Sequence, residues 1–382
     1  MKLIHVFSAP QSAYFFMNGQ LNYMNSKGMT VTVVMPFDLE FNSKFKSKQP
    51  NVEVINVNFE RNISLTTDFK CLFKLIRVFK KVNPDIIHLH TPKASLLGAL
   101  AARLLLKKNI IYQMHGLVSA YGNTVKKGLL YYMEKLTCVL STKIFAVSPS
   151  LKELAITHRF CKSDKISVIQ NGTINGIDFK NQFKPKNINR KNTALNKLSS
   201  EKFVIGFLGR LHKDKGIEDY LKVLSKCKEK ELSTVGLVIG PDESEGGFMM
   251  LLDKYNLIEG KDIFLLGQQL EPQNFMIYFD VLLLPTKREG FGLVGAEANA
   301  IEIPVVGYDI PGFRDAVKHN KTGVLVDFEN IEKLEDAVLD YYKNPTLKRE
   351  HGVNGRKRVM RDFEPKQIWE SLFYEYVKIN EV

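Results

Sequence analysis

The strongest constraint on the fold is a repeated alternation of short apolar runs with amphipathic helical patterns. In the first half of the 382-residue chain, the runs lie at 3–7, 31–35, 52–57, 86–90, 110–114, 144–147 and 166–169. In the second half they lie at 203–208, 235–239, 263–266, 281–284, 305–306 and 324–326. Nearly continuous apolar strands separated by helices are typical of a parallel sheet that is covered on both faces. The sequence therefore predicts an α/β protein with two Rossmann-like, open parallel sheets.

A polar segment separates the two series of strands. Residues 185–200 are rich in lysine and asparagine and have little apolar periodicity, so we interpret them as a linker between domains 1–184 and 201–363. Because ligands of open parallel sheets bind beyond the carboxyl ends of the strands, we expect the two domains to face a ligand-binding cleft. The last residues, 364–382, have a helical apolar pattern that must pack against another element.

The composition argues against several classes of protein. The four cysteines, Cys71, Cys138, Cys161 and Cys227, are far apart and include no C-x-x-C pair, so neither a zinc site nor a disulfide framework is indicated. The apolar run 3–7 is too short for the core of a signal peptide. No apolar stretch reaches the roughly 20 residues that a membrane-spanning helix needs. We therefore expect a protein of the reducing cytoplasm.

The two halves of the chain carry very different charges. Residues 1–190 contain 27 lysines and arginines against 10 aspartates and glutamates, a net charge of +17, whereas residues 191–382 contain 27 against 31, a net charge of −4. A strongly basic half favours a nucleic acid, an anionic membrane surface or a phosphorylated partner. Because no helix-turn-helix, zinc-finger or RNP-type motif is present, we expect no nucleic acid and favour a membrane. A basic surface without a partner is the alternative.

A glycine-rich stretch in the second domain has the features of an anion site. Glu289-Gly290-Phe291-Gly292-Leu293 follows the apolar run 281–285 and opens a helical pattern that includes Glu297. The N-terminus of a helix combines unpaired N–H groups with the positive end of the helix dipole, and together they bind phosphate. The two carboxylates are a little over two turns apart, and both can accept hydrogen bonds from sugar hydroxyls. The spacing alone is equally compatible with a capped surface helix.

The same stretch also matches the dinucleotide fingerprint G-x-G-x-x-G. Gly290, Gly292 and Gly295 form the motif, and Asp309 follows about twenty residues further on. An NAD-dependent oxidoreductase is therefore an alternative function. Against it, residues 286–290 separate the predicted strand from the helix, whereas the fingerprint requires a tight turn directly after the strand.

Other polar side chains also follow predicted strands. In the loop 209–216, Arg210 offers a planar fork and Lys215 a point charge, the pair of cations that suits a diphosphate leaving group. His115 follows another strand and can hydrogen-bond a substrate hydroxyl, although a single histidine is more often structural. Asn171 begins a segment with two Asn-Gly turns. No D-x-D motif or second acidic cluster is present, so we predict no metal site.

Taken together, the Arg210 and Lys215 loop, the Glu289-x7-Glu297 spacing and the twin open sheets resemble the retaining GT-B glycosyltransferases of family 4, over essentially the whole chain. The resemblance implies that the first domain binds an acceptor and that the second binds a nucleotide sugar. It also implies that the C-terminal helix, 364–382, packs back on the first domain.

The resemblance further implies roles for individual residues. Arg210 and Lys215 are expected to hold the donor diphosphate, Glu289 the hydroxyls of the transferred sugar and Glu297 those of the ribose. His115 occupies the family's His-Gly position, beside the anomeric carbon. The other expected donor contacts fall into two groups. Around the phosphates they are Gly209, Gly290, Phe291, Gly292 and Leu293. Near the base they are Gly267 and Gln268.

Two segments have a more particular similarity. Pro10-Gln11-Ser12 and 171–178 are similar to segments of bacterial enzymes that add a sugar, commonly from a UDP-N-acetylhexosamine, to a saccharide on undecaprenyl diphosphate. These enzymes assemble capsules, O-antigens and glycans. The similarity implies acceptor contacts at Pro10, Gln11, Ser12 and Asn171. Many family members have Gly-Gly after the first strand, where this chain has Pro10 to Ala13, and this difference leaves the acceptor contacts of that loop open.

The family's chemistry requires neither a nucleophilic side chain nor a metal, because the departing phosphate is thought to take the acceptor proton in a front-face attack. We therefore expect a metal-independent enzyme without a cofactor. A polyprenyl-diphosphate-linked acceptor would bring the basic domain to the inner face of the cell membrane, with Lys126 and Lys127 beside the apolar 129–132 as a contact strip. The alternatives are the oxidoreductase and a non-catalytic, lipid-saccharide-binding partner of a transferase.

Overall fold

The chain forms two compact α/β units. The computed structural model describes residues 1–60, 64–117, 125–188, 190, 192–244 and 246–381, without the side chains of 125–127 and 187. One unit is Met1–Gly176 with Pro365–Val382, and the other is Ile177–Glu364. Each has an open parallel sheet with helices packed on it, which confirms the predicted fold class.

The first unit contains seven parallel strands among the residues described. They coincide with the predicted runs and are β1 Lys2–Val6, β2 Thr30–Met35, β3 Glu53–Asn56, β4 Ile86–Leu89, β5 Ile110–Met114, β6 Lys143–Ala146 and β7 Ile166–Val168. Their order in the sheet is β3-β2-β1-β4-β5-β6-β7. The described helices between them are α1 Pro10–Phe16, α2 Gln20–Ser26, α3 Leu39–Lys48, α4 Leu65–Val82, α5 Pro92–Leu104, α6 Val125–Leu140 and α7 Pro149–Thr157.

The second unit contains six parallel strands within its described residues. They are β8 Phe203–Leu208, β9 Thr234–Ile239, β10 Ile263–Leu265, β11 Val281–Leu283, β12 Val305–Tyr308 and β13 Gly323–Val326, in the order β10-β9-β8-β11-β12-β13. The described helices are α8 Thr193–Glu201, α9 Ile217–Glu229, α10 Phe248–Lys254, α11 Gln273–Met276, α12 Leu293–Ala300, α13 Phe313–Ala316, α14 Ile331–Lys343 and α15 Pro345–Asp362.

Burial on both faces explains why the strands are nearly continuous apolar runs. Every residue of β4, β5 and β9 is buried. In the first unit, α4 and α5 pack on one face of the sheet, with Leu75 and Phe79 in the core. On the other face α2 contributes Leu21 and Met24. None of the described helices is apolar over enough of its length to cross a bilayer.

The C-terminal helix α16 (Pro365–Asn380) belongs to the first unit. Its Leu372 and Tyr376 side chains are buried in the core cluster that includes α2. The indole N–H of Trp369 donates a hydrogen bond to Asn175 Oδ1 at 2.6 Å. Gly19 has a φ of +79°, and a Cβ there would lie 2.6 Å from the Trp369 ring. Glycine at this position therefore allows the start of α2 to contact α16.

The boundary between the units differs from the predicted linker. The second unit begins at Ile177, and Thr193–Glu201 within the predicted linker is helix α8, whose N-cap Asn192 accepts a hydrogen bond from the Leu195 N–H. In α8 only Leu195 is buried. A nine-residue helix of mostly polar side chains offers few apolar positions to a periodicity search, so its sequence resembles that of a loop.

The strand order places the predicted loops at two switch points. The order reverses between β1 and β4 in the first sheet and between β8 and β11 in the second. At such a point, adjacent loops diverge from the carboxyl edge and leave a crevice for a ligand. The loops 209–216 and 284–292 follow β8 and β11, and Pro10 and His90 follow β1 and β4. The second sheet therefore brings together the two loops with the strongest sequence signals.

Candidate active site

The loops after β8, β9 and β10 contact one another through their backbones. Gly209 N–H donates to Ile239 O, and Gly240 N–H donates to Gly267 O, each at 2.9 Å. A Cβ at Gly240 would lie 1.8 Å from the carbonyl oxygen of Gly209, so only glycine fits there. The structure thus brings the predicted Gly209 and Gly267 to one edge, and the exposed Gln268 follows them. Gly240, directly after an apolar run, was not predicted.

Asp214 connects the charged side chains of the two switch-point loops. Its carboxylate accepts hydrogen bonds from Arg210 at 2.9 Å, His212 at 2.5 Å and Arg288 at 3.1 Å. Although burial opposes ionisation, the His212 hydrogen bond and the two arginines lower the pKa of Asp214 to about 2. It is therefore ionised at neutral pH and fixes one arginine on each loop. Neither Asp214 nor Arg288 was predicted, since charged residues in loops give no signal of mutual contact.

Lys215 and Glu289 form an ion pair between the same two loops. Lys215 Nζ lies 2.6 Å from Glu289 Oε1, and the two side chains are only 23% and 13% exposed. The buried Thr286 hydroxyl lies 3.1 Å from the same carboxylate oxygen. Because the pair is partly shielded from water, its attraction exceeds that of an exposed salt bridge. Both residues were predicted as ligand contacts, but their mutual contact was not.

Glycines allow the two loops to touch. Gly216 has a φ of +73°, and a Cβ there would lie 1.9 Å from the carbonyl oxygen of Pro285. Lys287 N–H donates to the Asp214 carbonyl at 2.9 Å. Gly312, with a φ of +83°, supports the other side of the glycine-rich loop, since a Cβ there would lie 2.5 Å from Glu289 O. Backbone contacts therefore set the positions of Lys215 and Glu289.

Helix α12 begins at the glycine-rich turn, as the sequence predicts. Gly292 is its N-cap, with a φ of +82°, and no capping side chain accepts from the first N–H groups, beginning with that of Leu293. Such a terminus suits an anion. The Phe291 side chain is 5% exposed and packs edge-on against Phe363, with ring centroids 5.1 Å apart. The predicted ligand contact of Phe291 therefore concerns its backbone, and that of the neighbouring Gly290 stays a prediction.

Glu297 lies on α12 with a perturbed carboxyl group. Desolvation raises the pKa of this group to about 8. Within the part of the chain that the structure describes, no hydrogen bond to the Glu297 carboxyl is present. A desolvated carboxyl without a partner is a candidate acceptor for ligand hydroxyl groups.

His115 follows β5 in the first unit. Its Nε2 lies 3.3 Å from His90 Nδ1, and the Phe16 ring stacks on it with centroids 5.1 Å apart. Desolvation lowers the pKa of His115 to about 4, so the ring is neutral at pH 7. A neutral imidazole suits a hydrogen bond to a hydroxyl group better than an ionic contact with phosphate.

A buried cluster of histidines lies next to His115. His5 in β1 and His88 and His90 at the end of β4 are at most 1% exposed, and one nitrogen from each lies within 4.8 Å of the others. The planes of the three imidazole rings are inclined to one another by only 24° to 32°. His5 Nδ1 and His90 Nε2 lie 2.9 Å apart, and His88 Nδ1 lies 2.6 Å from the Tyr376 hydroxyl, so these ring nitrogens already have hydrogen-bond partners within the protein. The cluster was not predicted, although the alternation of His88 and His90 was visible in the sequence.

The remaining predicted residues belong to the first unit. Pro10-Gln11-Ser12 forms the first turn of α1, because proline is favourable at the first helical position. Gln11 and Asn171 are exposed, and Asn171 follows β7. The side chains of Lys126 and Lys127 fall outside the described residues.

Comparisons with known proteins identify the family. The chain matches the models "Glycosyltransferase Family 4" at residues 20–174 and "Glycosyl transferases group 1" at 189–358. It is 34% identical over 372 residues to the capsular polysaccharide biosynthesis glycosyltransferase CapM of Staphylococcus aureus. This match covers 97% of this chain and 95% of that protein. It is 30% identical over 320 residues to the UDP-Gal:alpha-D-GlcNAc-diphosphoundecaprenol alpha-1,3-galactosyltransferase of Escherichia coli, covering 78% and 79%. The Anabaena protein HepE in complex with UDP and glucose has a TM-score of 0.80 at 17% identity, covering 99% and 100%.

The chain therefore belongs to the family 4 glycosyltransferases and has the GT-B type of fold, with two Rossmann-like units. It is an enzyme that transfers a sugar. This membership rules out the oxidoreductase and the non-catalytic partner as alternatives. The structure gives a physical reason for excluding the oxidoreductase. Residues 284–292 separate β11 from α12, whereas a dinucleotide fingerprint requires a tight turn directly after the strand.

Replacement of Gly216 tests whether backbone contact between the loops is essential. Gly216→Ala combines a left-handed backbone, which costs about 1–2 kcal/mol for alanine, with a clash that adds about 1–3 kcal/mol. Gly260→Ala is a matched control, because Gly260 has a φ of +79° but no atom within 4 Å of the added Cβ. Urea denaturation should show the larger loss for Gly216→Ala. Equal losses would mean that the loops do not depend on this contact.

Proposed function

We propose that the protein is a retaining, metal-independent glycosyltransferase that moves an N-acetylhexosamine from a UDP-linked donor to a saccharide on polyprenyl diphosphate. The proposed setting is the assembly of a capsule, an O-antigen or a related surface glycan. The observation that carries the proposal is the Lys215–Glu289 ion pair at a switch point, beside Arg210. The substrate classes are supported by relatives, since one is named for UDP-galactose and diphosphoundecaprenol and another for capsular polysaccharide.

The donor diphosphate is proposed to replace Glu289 as the partner of Lys215. Arg210 adds a planar guanidinium, which Asp214 and Glu243 hold in place at 2.9 and 2.8 Å. The N–H groups at the start of α12 complete the anion site, because the helix dipole favours negative charge there. Once released from Lys215, the Glu289 carboxylate accepts hydrogen bonds from hydroxyls of the transferred sugar.

The chemistry follows from the placement of positive charge. When the bond between the anomeric carbon and the diphosphate breaks, negative charge develops on the leaving phosphate, where Lys215 and Arg210 stabilise it. The leaving phosphate takes the proton of the acceptor hydroxyl as that oxygen attacks from the same face. The configuration is then retained, and no side chain acts as a nucleophile. His115 is assigned a hydrogen bond that orients the transferred sugar.

Independence from metal ions is supported by the partners of the acidic side chains. Asp214 is bonded to Arg210 and Arg288, and Glu289 is paired with Lys215. A divalent cation requires several oxygen ligands, whereas these carboxylates are already neutralised by neighbouring cations. Side chains therefore provide the positive charge that a metal supplies to the leaving group in other transferases.

Removal of either partner of the ion pair tests the donor site. Lys215→Ala and Glu289→Ala should each lower kcat/KM for the UDP-sugar by about 10- to 100-fold, because a charge-assisted hydrogen bond contributes about 1.5–3 kcal/mol. Lys254→Ala is the control, since Lys254 forms a similar pair with Glu218 at 3.0 Å outside the site. A chelator such as EDTA should leave the wild-type rate unchanged. Near-normal activity of either variant, or a loss that added metal restores, would contradict the assignment.

The raised pKa of the Glu297 carboxyl group leads us to expect that UDP binding depends on pH. If ribose hydroxyls donate to its carboxylate, binding stabilises the ionised form and lowers the pKa from about 8. Binding then releases a proton, and the affinity rises with pH and levels off above about pH 8, the pKa of the free enzyme. Calorimetric titrations in buffers with different ionisation enthalpies measure this release.

The matched variant for this test is Glu297→Gln, which keeps the size of the side chain and removes its titration. The variant should retain only the proton release that the UDP phosphate itself causes. The same proton release by both proteins would show that Glu297 does not contact the ribose.

The proposed membrane contact is supported by exposed apolar stripes on the first unit. On α4, three exposed side chains at a spacing of four lie on one face: Leu65, Phe69 and Phe73. On α6, a second stripe consists of Leu129, Tyr132, Leu136 and Val139. Helix α5 packs against both α4 and α6, which places the stripes on the same face of the sheet. Exposed basic residues accompany them on α4, namely Lys70, Lys74, Arg77, Lys80 and Lys81.

Vesicle flotation tests this membrane contact. Binding should require anionic lipid, because each cation near the surface contributes about 1 kcal/mol. Binding should also weaken as salt is added, because salt shortens the Debye length, which is about 10 Å at about 0.1 M ionic strength. The double variant Phe69→Ser, Phe73→Ser should bind anionic vesicles less than the wild type. The double variant Lys126→Glu, Lys127→Glu should do the same. Met249→Ser, Met250→Ser in the second unit is the control, since these side chains are 54% and 65% exposed. Equal binding to neutral and anionic vesicles, or no binding, would contradict the proposal.

A further inference from the structure

Three histidines of the first unit form a continuous series of hydrogen bonds. His5 Nδ1 lies 2.9 Å from His90 Nε2, and His90 Nδ1 lies 3.3 Å from His115 Nε2. His5 and His90 are completely buried, whereas His115 is partly exposed. These three side chains, here called the histidine network, therefore connect the core of the unit with a residue proposed to contact the transferred sugar.

Each ring of the histidine network carries one proton at neutral pH. Desolvation lowers the pKa of His5 to about 3 and that of His115 to about 4. Desolvation, followed by the charges of His88 and His5, lowers the pKa of His90 as well. A neutral imidazole has one donor and one acceptor nitrogen. Both hydrogen bonds of the network must therefore run in the same direction along the series.

The unpartnered atom at the buried end selects that direction. His5 Nε2 is buried and has no hydrogen-bond partner among the residues described. If the bonds ran inward from His115, His5 would carry its proton on this nitrogen and would bury an unpaired N–H group, which native proteins rarely do. In the opposite direction, only a lone pair is left without a partner. His5 Nδ1–H then donates to His90, and His90 Nδ1–H donates to His115 Nε2.

We propose that His5 and His90 are positioning residues that hold His115 in the tautomer with its proton on Nδ1. His115 thereby presents a fixed hydrogen-bond donor to an oxygen atom of the transferred sugar, and no ring rotation or proton exchange is needed before the reaction. This role in the reaction rests on the proposed function, whereas the tautomer is a property of the free enzyme. The two parts are therefore tested separately.

The tautomer is measured in the wild-type enzyme without any substitution. Long-range ¹H–¹⁵N correlation spectra of protein labelled in histidine distinguish a protonated from an unprotonated ring nitrogen. The expected result at neutral pH is a neutral His115 with a protonated Nδ1 and an unprotonated Nε2. A His115 ring with its proton on Nε2, or a mixture of the two tautomers, would overturn the proposal.

Variants at His90 test the cause of this preference. His90→Leu should release His115 into a mixture of tautomers, whereas His90→Asn should preserve the Nδ1–H form, because its amide group can donate in place of the imidazole. His88→Leu is the control, since His88 is equally buried but bonds to Tyr376 at 2.6 Å rather than to the network. An unchanged His115 tautomer in His90→Leu would overturn the assigned cause.

Kinetics then test the role in catalysis. His90→Leu should lower kcat/KM by about tenfold, the effect of one lost hydrogen bond, and His90→Asn should restore most of it. In a His115→Ala background, His90→Leu should cause no further loss, because it acts only through His115. Full additivity of the two losses would overturn the positioning role. The predicted tautomer together with full activity of His115→Ala would instead overturn the contact between His115 and the sugar.

Discussion

The ion pair between Lys215 and Glu289 determines how the second unit presents its ligand-binding groups. Its partners lie 74 residues apart in the sequence, so the pair forms only when β8 and β11 are neighbours and both loops leave the same edge of the sheet. The hydroxyl of Thr286 and the backbone contact at Gly216 hold the loops in register with each other. A lysine held in this way remains partly desolvated and close to a carboxylate that a diphosphate can replace. Charge and backbone geometry thus define the anion site that we propose.

The same topological principle operates in both units, with different chemistry. In each sheet the strand order reverses beside the first strand, and polar side chains collect in the loops of the two central strands. The second unit places cations and a helix N-terminus there, which suits a nucleotide diphosphate. The first unit has neutral, desolvated histidines in or directly after β1, β4 and β5, of which His115 is partly exposed. Neutral rings can accept and donate hydrogen bonds to hydroxyl groups, which suits the role that we propose for His115.

The sequence predicted the strands and the fold class, because these depend on local patterns, and the structure pairs two residues of the proposed donor site, Lys215 and Glu289. An apolar run followed by glycine and charged residues is visible without any tertiary information. Contacts between distant loops were not predictable in this way: nothing in the sequence pairs Asp214 with Arg288, or His5 with His90. Helix α8 was missed because it buries a single leucine. A motif gives residue identity but not side-chain direction, so the packing of the Phe291 ring against Phe363 was not predictable.

A crystal structure of the full chain with an unhydrolysable UDP-sugar tests the proposed exchange of partners at Lys215 most directly. We expect Lys215 Nζ to leave Glu289 and to lie within hydrogen-bond distance of a phosphate oxygen. We also expect the Glu289 carboxylate to accept hydrogen bonds from hydroxyls of the sugar and the diphosphate to face the first N–H groups of α12. An intact Lys215–Glu289 ion pair, with the diphosphate bound elsewhere, would contradict the proposed exchange.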